Sequence, residues 1–399
     1  MNPKDKSTIL ITCSPGLGEY LRQEVEALGY SIDAVLPAGV KLQGDQYDTM
    51  RLNLHLRTAY NVLFLLKQFK CRSPEELYRE VKDFPWEDII SPREYLSIVG
   101  RTDTESIDNS MYASLKVKDA VVDRLVEKTG SRPDSGPDKS GVVLQVFWKD
   151  EFCRLFLNTS GLKLSDRGYR KIPHKAPLRE SLAAVIIMAT GYDGTMPLIC
   201  PMCGSGTLAI EAALMATHRV PGLLRSNYGF MHTAYFDSAA WQEMRSAAAK
   251  QGKKRGGKAD VKPAPIIATD IDPDAVQAAR RNAMTAGVDH LISFEVCDFA
   301  DTPLPPEPGI IVMNPEYGQR MGEIEKLKLT YQRIGDFFKQ KCAGYTGYIF
   351  TGNPDLAKQI GLRTSQKMIF FNAQIECRLL KYELYAGTRK HRDSDVSND

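Results

Sequence analysis

Cys200-Pro201-Met202-Cys203-Gly204-Ser205-Gly206-Thr207 is the stretch on which the fold turns. It joins an apolar run over residues 197–200 to a run with helical spacing over 207–215. Gly204 and Gly206 remove side chains where a strand must turn at once into a helix, so backbone amides at the helix N-terminus can approach a ligand. Such a turn also serves plain strand–helix packing. The chemistry therefore has to be sought along the chain on either side.

Downstream the same alternation continues. Strands are predicted over 265–269, 292–296, 309–313 and 347–350, with a helix over 274–286 and, upstream, another over 178–189. Strands interleaved with helices predict an α/β, doubly wound, Rossmann-like parallel sheet buried on both faces. A hairpin over 366–371 and 375–385 closes it, and a polar tail over 387–399 reads as disordered.

The N-terminal half reads differently. A strand over 8–13, a helix over 19–28, a strand over 35–42 and a long helix over 47–69 suit a small α+β ferredoxin-like unit. Next come a helix over 75–81, a strand over 94–99, a basic helix over 112–128 and strands over 142–148 and 153–157. The expected division is 1–70, 71–162 and 163–388, with 389–399 as the tail. Gly16 and Gly18 lack a third glycine and a partner acid, so they read as a turn.

Composition narrows the class. Of 399 residues, 43% are hydrophobic and 25% charged, the balance of an ordinary globular chain. No apolar run approaches the roughly 20 residues of a membrane span, and no apolar signal core follows Met1, so cytoplasmic placement is expected. Eight cysteines scattered through apolar runs suit buried thiols. Cys200 and Cys203 have redox spacing, but no second ligand pair for zinc accompanies them, and six histidines form no ligand spacing; no metal is expected. A net charge of +3 says little. Local basic groups say more: Lys116 and Lys118, Arg132, Arg167 and Arg170, and a 250–262 stretch with six basic residues against one acid, read as a solvated loop.

Three further signals close predicted strands, along the edge where ligands of doubly wound sheets collect. Ala268-Thr269-Asp270-Ile271-Asp272 puts an acid where it can accept both hydroxyls of a ribose. Cys297-Asp298-Phe299 offers a carboxylate to an adenine amino group and an aromatic to pack on the ring. Each acid alone is also a common helix cap. Met313-Asn314-Pro315-Glu316-Tyr317-Gly318 is the fourth. An exocyclic amine attacking a methyl sulfonium must aim its lone pair at carbon while its protons find acceptors. The Asn314 side-chain oxygen and the Pro315 carbonyl supply two, and Tyr317 could stack on an extruded base. Asn-Pro is also a frequent strand breaker.

Asn314-Pro315-Glu316-Tyr317 resembles the (Asn/Asp)-Pro-Pro-(Tyr/Phe) motif of amino-methyltransferases, and the three preceding turns resemble their S-adenosylmethionine motifs. Asp166-Arg167-Gly168-Tyr169-Arg170, Ala176-Pro177-Leu178-Arg179-Glu180-Ser181, and Pro201 to Thr207 with Ile210-Glu211-Ala212-Ala213 are more specific. With Trp86-Glu87, Lys116-Val117-Lys118-Asp119-Ala120 and Asn158-Thr159-Ser160-Gly161, they resemble bacterial THUMP-domain methyltransferases that form N2-methylguanosine in 23S ribosomal RNA. The resemblance covers nearly the whole chain. It implies a ferredoxin-like domain, a THUMP domain gripping structured RNA, and a catalytic domain using S-adenosylmethionine. It places methionine near Leu178 and Cys203, Gly204, Ser205, Gly206 and Thr207. Ribose goes to Asp270 beside Ile271, adenine to Asp298 and Phe299, and the target base to Asn314, Pro315, Glu316 and Tyr317.

The sequence departs from the family pattern twice. Cys200 stands where the family carries an acid, and Glu316 replaces the second proline; its carboxylate either accepts from guanine or points into solvent. Rival readings are an adenine methyltransferase on RNA or DNA, a tRNA enzyme, a protein methyltransferase, and a non-catalytic RNA-binding assembly factor.

Overall fold

The computed structural model describes residues 2–172, 178–255, 263–318 and 321–385. The expected tail, His174 and residues 256–262 of the basic stretch lie outside the described residues. Contacts divide the chain into two compact units, one of Met1–Gly168, Glu180–Val185 and His218–Gly257, the other of Tyr169–Arg179, Ile186–Thr217 and Lys258–Asp399.

The first unit opens with strand β1 (Ser7–Thr12), whose Ile9 and Ile11 are fully buried, and helix α1 (Gly18–Ala27). Strands β2 (Ala34–Leu36) and β3 (Gly39–Gly44) follow, then helix α2 (Gln46–His55) and strand β4 (Asn61–Lys70). Two expectations are corrected here. The single strand over 35–42 is a hairpin. Gly39 lies opposite Thr12, and a Cβ there would fall 2.3 Å from the Ile11 carbonyl oxygen, so only glycine fits.

The long helix over 47–69 is also wrong: it stops at His55, and the remainder is a strand. A side chain from elsewhere arrests it. The Glu24 carboxylate of α1 accepts the Arg57 and Thr58 amides, both at 2.9 Å, and the Thr58 hydroxyl at 2.6 Å. Beyond that point Val62-Leu63-Phe64-Leu65-Leu66 is apolar at every position, and such a run carries no period to separate helix from strand.

Helix α3 (Pro74–Lys82), capped by Ser73, leads to β5 (Leu96–Asp103), α4 (Ser110–Thr129), β6 (Val142–Lys149) and β7 (Phe152–Asn158). All seven strands join one sheet in the order β2-β3-β1-β4-β7-β6-β5. Only β5 and β6 pair in parallel; β4 pairs antiparallel with both β1 and β7.

The chain continues through α5 (Glu180–Ala189), β8 (Leu198–Pro201), α6 (Thr207–Ala216) and α7 (Ser238–Arg255). α7 corrects the basic loop: from Lys250 to Arg255 the backbone is helical. Then come β9 (Ile266–Asp270), α8 (Pro273–Ala286), β10 (Ile292–Val296), β11 (Ile310–Met313), α9 (Met321–Lys341), β12 (Thr346–Thr351), α10 (Pro354–Lys358), β13 (Gln366–Asn372) and β14 (Ile375–Glu383).

The second unit is built on a sheet of order β10-β9-β8-β11-β12-β14-β13. Its first five strands run parallel, and β14 enters antiparallel between β12 and β13. β8 and β11 are buried at every residue, as their unbroken apolar runs require. Strand order reverses between them, and at such a switch point the carboxyl ends of neighbouring strands part to leave a crevice. Among the described residues no helix is long and apolar enough to cross a membrane.

Candidate active site

The first turn at this edge follows β8. Met202, Gly204 and Gly206 all have positive φ, at 55°, 52° and 79°. Around Gly204 a Cβ would meet nothing within 4 Å, whereas at Gly206 it would lie 2.8 Å from the Ala279 Cβ of α8. Gly206 thus serves close packing, and Gly204 leaves backbone open to a ligand. The Cys203 amide donates to the Thr269 carbonyl at 2.9 Å, tying this turn to β9.

Asp270, at the end of β9, accepts the Gly204 amide on Oδ2 at 2.9 Å and the Asp272 amide on Oδ1 at 3.1 Å. Its carboxylate is held in place by the turn it must serve, with lone pairs remaining for the hydroxyls of a sugar. Ile271 beside it is 69% exposed, an apolar surface at a polar edge. At the end of β10, Asp298 Oδ1 accepts the Ala300 amide at 2.9 Å and the Arg333 guanidinium at 2.8 Å. Burial opposes its ionisation, but the amide and Arg333 outweigh it, and the carboxyl sits below its ordinary value. Phe299 differs from expectation. Its ring is 5% exposed and Arg333 lies 4.9 Å over it, so no bare face is offered to adenine.

After β11, Asn314 is half-buried, and its Oδ1 is buried with no hydrogen-bond partner among the described residues. Leaving a buried acceptor unpaired costs about 1–3 kcal/mol, a cost that a donor entering at this strand end would relieve. Pro315 is buried and Glu316 exposed. Tyr317 is half-buried: its ring rests against Gly352, and its hydroxyl accepts from Asn372 Nδ2 at 3.0 Å.

The arginines of the connector are corrected. Arg167 is 1% exposed and donates to the Arg57 carbonyl at 2.9 Å, so it is not available to an RNA phosphate. Arg170 turns to the first turn instead, donating to the Leu178 carbonyl and, at 3.1 Å, to Thr207 Oγ1. The expected RNA residues of α4 are accessible: Lys116 lies 5.6 Å over the Tyr112 ring and Lys118 pairs with Asp119 at 3.2 Å, while Arg132 is exposed beyond the helix.

Sequence reasoning missed two braces. Tyr169 donates to the buried Glu211 of α6 at 3.0 Å. Asn282, fully buried on α8, accepts the Lys171 and Ile172 amides and donates to the Ser205 carbonyl at 3.2 Å. An asparagine on the face of α8 that otherwise carries Ala275, Ala279, Ala283 and Ala286 was the available signal.

The glycine turn, the two acids and the asparagine thus stand on consecutive strands of one edge, as a methyltransferase requires. The model of the RMKL-like methyltransferase domain matches residues 167–381. The chain belongs to this methyltransferase family. Its N-terminal half matches the RlmL ferredoxin-like domain over 8–63 and the THUMP domain over 71–158. A Synechocystis protein, provisionally named an RNA methyltransferase, is 34% identical over 94% of this chain and 96% of its own length. Ribosomal RNA large subunit methyltransferases K/L of Syntrophotalea carbinolica and Cellvibrio japonicus are each 35% identical over 94% and 97% of the chain. This chain spans about half, 53%, of the length of both. Among solved structures, SMU.472 in complex with S-adenosylhomocysteine superposes with a TM-score of 0.83 at 24% identity, covering 97% of this chain and all of that one. A Listeria monocytogenes protein titled a predicted N6-adenine-specific DNA methylase gives 0.82 at 27% identity, covering 96% of this chain and 97% of its own. The family and the glycine–acid–acid series together make S-adenosylmethionine the cofactor of this domain.

Proposed function

We propose that the chain transfers a methyl group from S-adenosylmethionine to the exocyclic N2 of a guanosine in 23S ribosomal RNA, in the cytoplasm. The observation that carries the reading is the buried Oδ1 of Asn314 at the end of β11, which has no partner among the described residues. An amino group entering there donates one proton to that oxygen, and the Pro315 carbonyl stands next in the chain for the other. The nitrogen lone pair is then left pointing out of the base plane. S-adenosylmethionine supplies the electrophilic methyl group. Asp270 and the open backbone at Gly204 are suited to its sugar and chain, Asp298 to its adenine, with Leu178 and the Cys203 to Thr207 turn around the methionine. No side chain has to act as a strong acid or base; the site works by orientation and exclusion of water.

Guanine as the base and 23S RNA as the substrate rest on the resemblance of the motifs and on the names of the K/L relatives, of which this chain spans only part. The matched THUMP domain supports RNA as the partner, with Lys116, Lys118 and Arg132 as phosphate contacts that position without reading sequence. The name of the Listeria relative favours a second reading, an adenine amino group.

Methyl transfer from labelled S-adenosylmethionine to RNA lacking this activity, followed by nucleoside analysis, tests both. Label in N2-methylguanosine of large-subunit RNA is expected. Label in N6-methyladenosine would keep the catalytic domain and replace the base, and no transfer to free or ribosome-bound RNA would sink the proposal.

A further inference from the structure

Helix α9 begins directly after the catalytic loop, and one stripe of it grips the turn at the end of β10. Arg333, Phe337 and Lys341 are spaced four apart and so share a face. Arg333 donates to Asp298 Oδ1 at 2.8 Å and lies 4.9 Å over the Phe299 ring. Phe337 meets that ring edge-on at 6.1 Å. Lys341 donates to the Ala300 carbonyl at 2.5 Å and reaches Asp301 at 3.3 Å. Every residue from Asp298 to Asp301 is therefore touched from α9.

The contacts on Asp298 are one-sided. The Ala300 amide and Arg333 both fall on Oδ1, and Oδ2 meets no donor among the described residues. A guanidinium bonded to one oxygen and seated over an aromatic ring sets the rotation of the carboxyl and keeps it an acceptor. We infer that Arg333 is a positioning residue for cofactor selection. It holds Asp298 so that Oδ2 accepts the exocyclic amino group of adenine and rejects a purine carrying oxygen there. The inference rests on the reading that assigns Asp298 to adenine.

The test is calorimetric binding of S-adenosylhomocysteine and its deaminated counterpart, S-inosylhomocysteine, to wild type, Arg333→Met, Arg333→Lys and Lys341→Met. Wild type is expected to prefer the adenine ligand by about tenfold or more, since the oxo group sets acceptor against acceptor. Arg333→Met should bring the two ligands to within about threefold of each other, chiefly by weakening the adenine ligand, because the carboxyl loses its anchor. Arg333→Lys should restore part of the preference, and Lys341→Met should retain it. A role confined to stability would weaken both ligands alike and leave their ratio untouched in every variant, which overturns the inference. Wild type binding both equally overturns it as well. Wild type binding neither removes the cofactor reading itself, and the inference with it.

Discussion

Asn314 has the only side chain in its loop whose buried oxygen lacks a donor among the described residues, and its replacement separates chemistry from binding. Asn314→Ala is expected to lower kcat by about 10²- to 10³-fold, the usual effect of removing one oriented polar partner from a reacting centre. Affinity for S-adenosylhomocysteine should stay within about twofold, because the cofactor residues lie on other strands. A parallel loss of cofactor affinity would show that Asn314 holds the site together instead. Cys200 makes the opposite case. It is 1% exposed in β8, and burial pushes its thiol up to about 12. The folded value exceeds the ordinary value of 9.0, so the neutral thiol is the form the fold favours. Its contribution to stability is complete below pH 9 and is lost as pH rises towards 12. At neutral pH it gives a cofactor ammonium no charge to meet. Iodoacetamide at pH 8 should leave Cys200 unlabelled in the native protein and label it in urea; rapid native labelling would contradict the burial.

At the scale of elements, the catalytic half was nearly all legible in the sequence because each strand there is a short apolar run ended by a turn residue. Gly204, Asp270, Asp298 and Asn314 mark four strand ends, and the chain folds to put them on one edge. What failed depended on partners distant in sequence. β4 read as helix because the Glu24 side chain that stops α2 lies more than 30 residues away. Arg167 and Arg170 read as surface charge because nothing local tells that their acceptors include the Arg57 carbonyl and the Thr207 hydroxyl. α7 was hidden because its lysine-rich end favours helix by propensity but carries no apolar stripe in the sequence to announce one. The β4 assignment has a direct check. With partners on both sides, Leu63→Pro removes a ladder bond whichever way its amide points, and the first unit should lose its cooperative unfolding transition. A helix at that position would instead be kinked, with β1 and β7 left to pair with other strands.

For the whole molecule, cofactor and RNA affinity should respond to different residues. Lys116→Glu with Arg132→Glu is expected to weaken RNA binding and reduce the slope of log affinity against log salt by about one for each phosphate no longer neutralised. Binding of S-adenosylhomocysteine should not change. Arg170→Ala should do the reverse, since its guanidinium braces Thr207 at the start of α6. Equal effects of both variants on RNA would return Arg170 to the surface role that its position in the sequence suggested. Fluorescence anisotropy across a salt series measures the first, calorimetry the second.

The pairing of β4 with β7 bears on how such a protein is inherited. β4, which begins inside the module matched over 8–63 and runs seven residues past its end, pairs across seven residue pairs with β7 of the module matched over 71–158. Cutting the gene between them would bare the full length of β4 on one fragment and β7 on the other, each a template for pairing with foreign chains. Recombination that borrowed the RNA-gripping cassette alone would deliver a sticky, half-finished sheet. The ferredoxin-like strands are therefore expected to travel with it as one transferable block, and a chimera joined near residue 70 should precipitate.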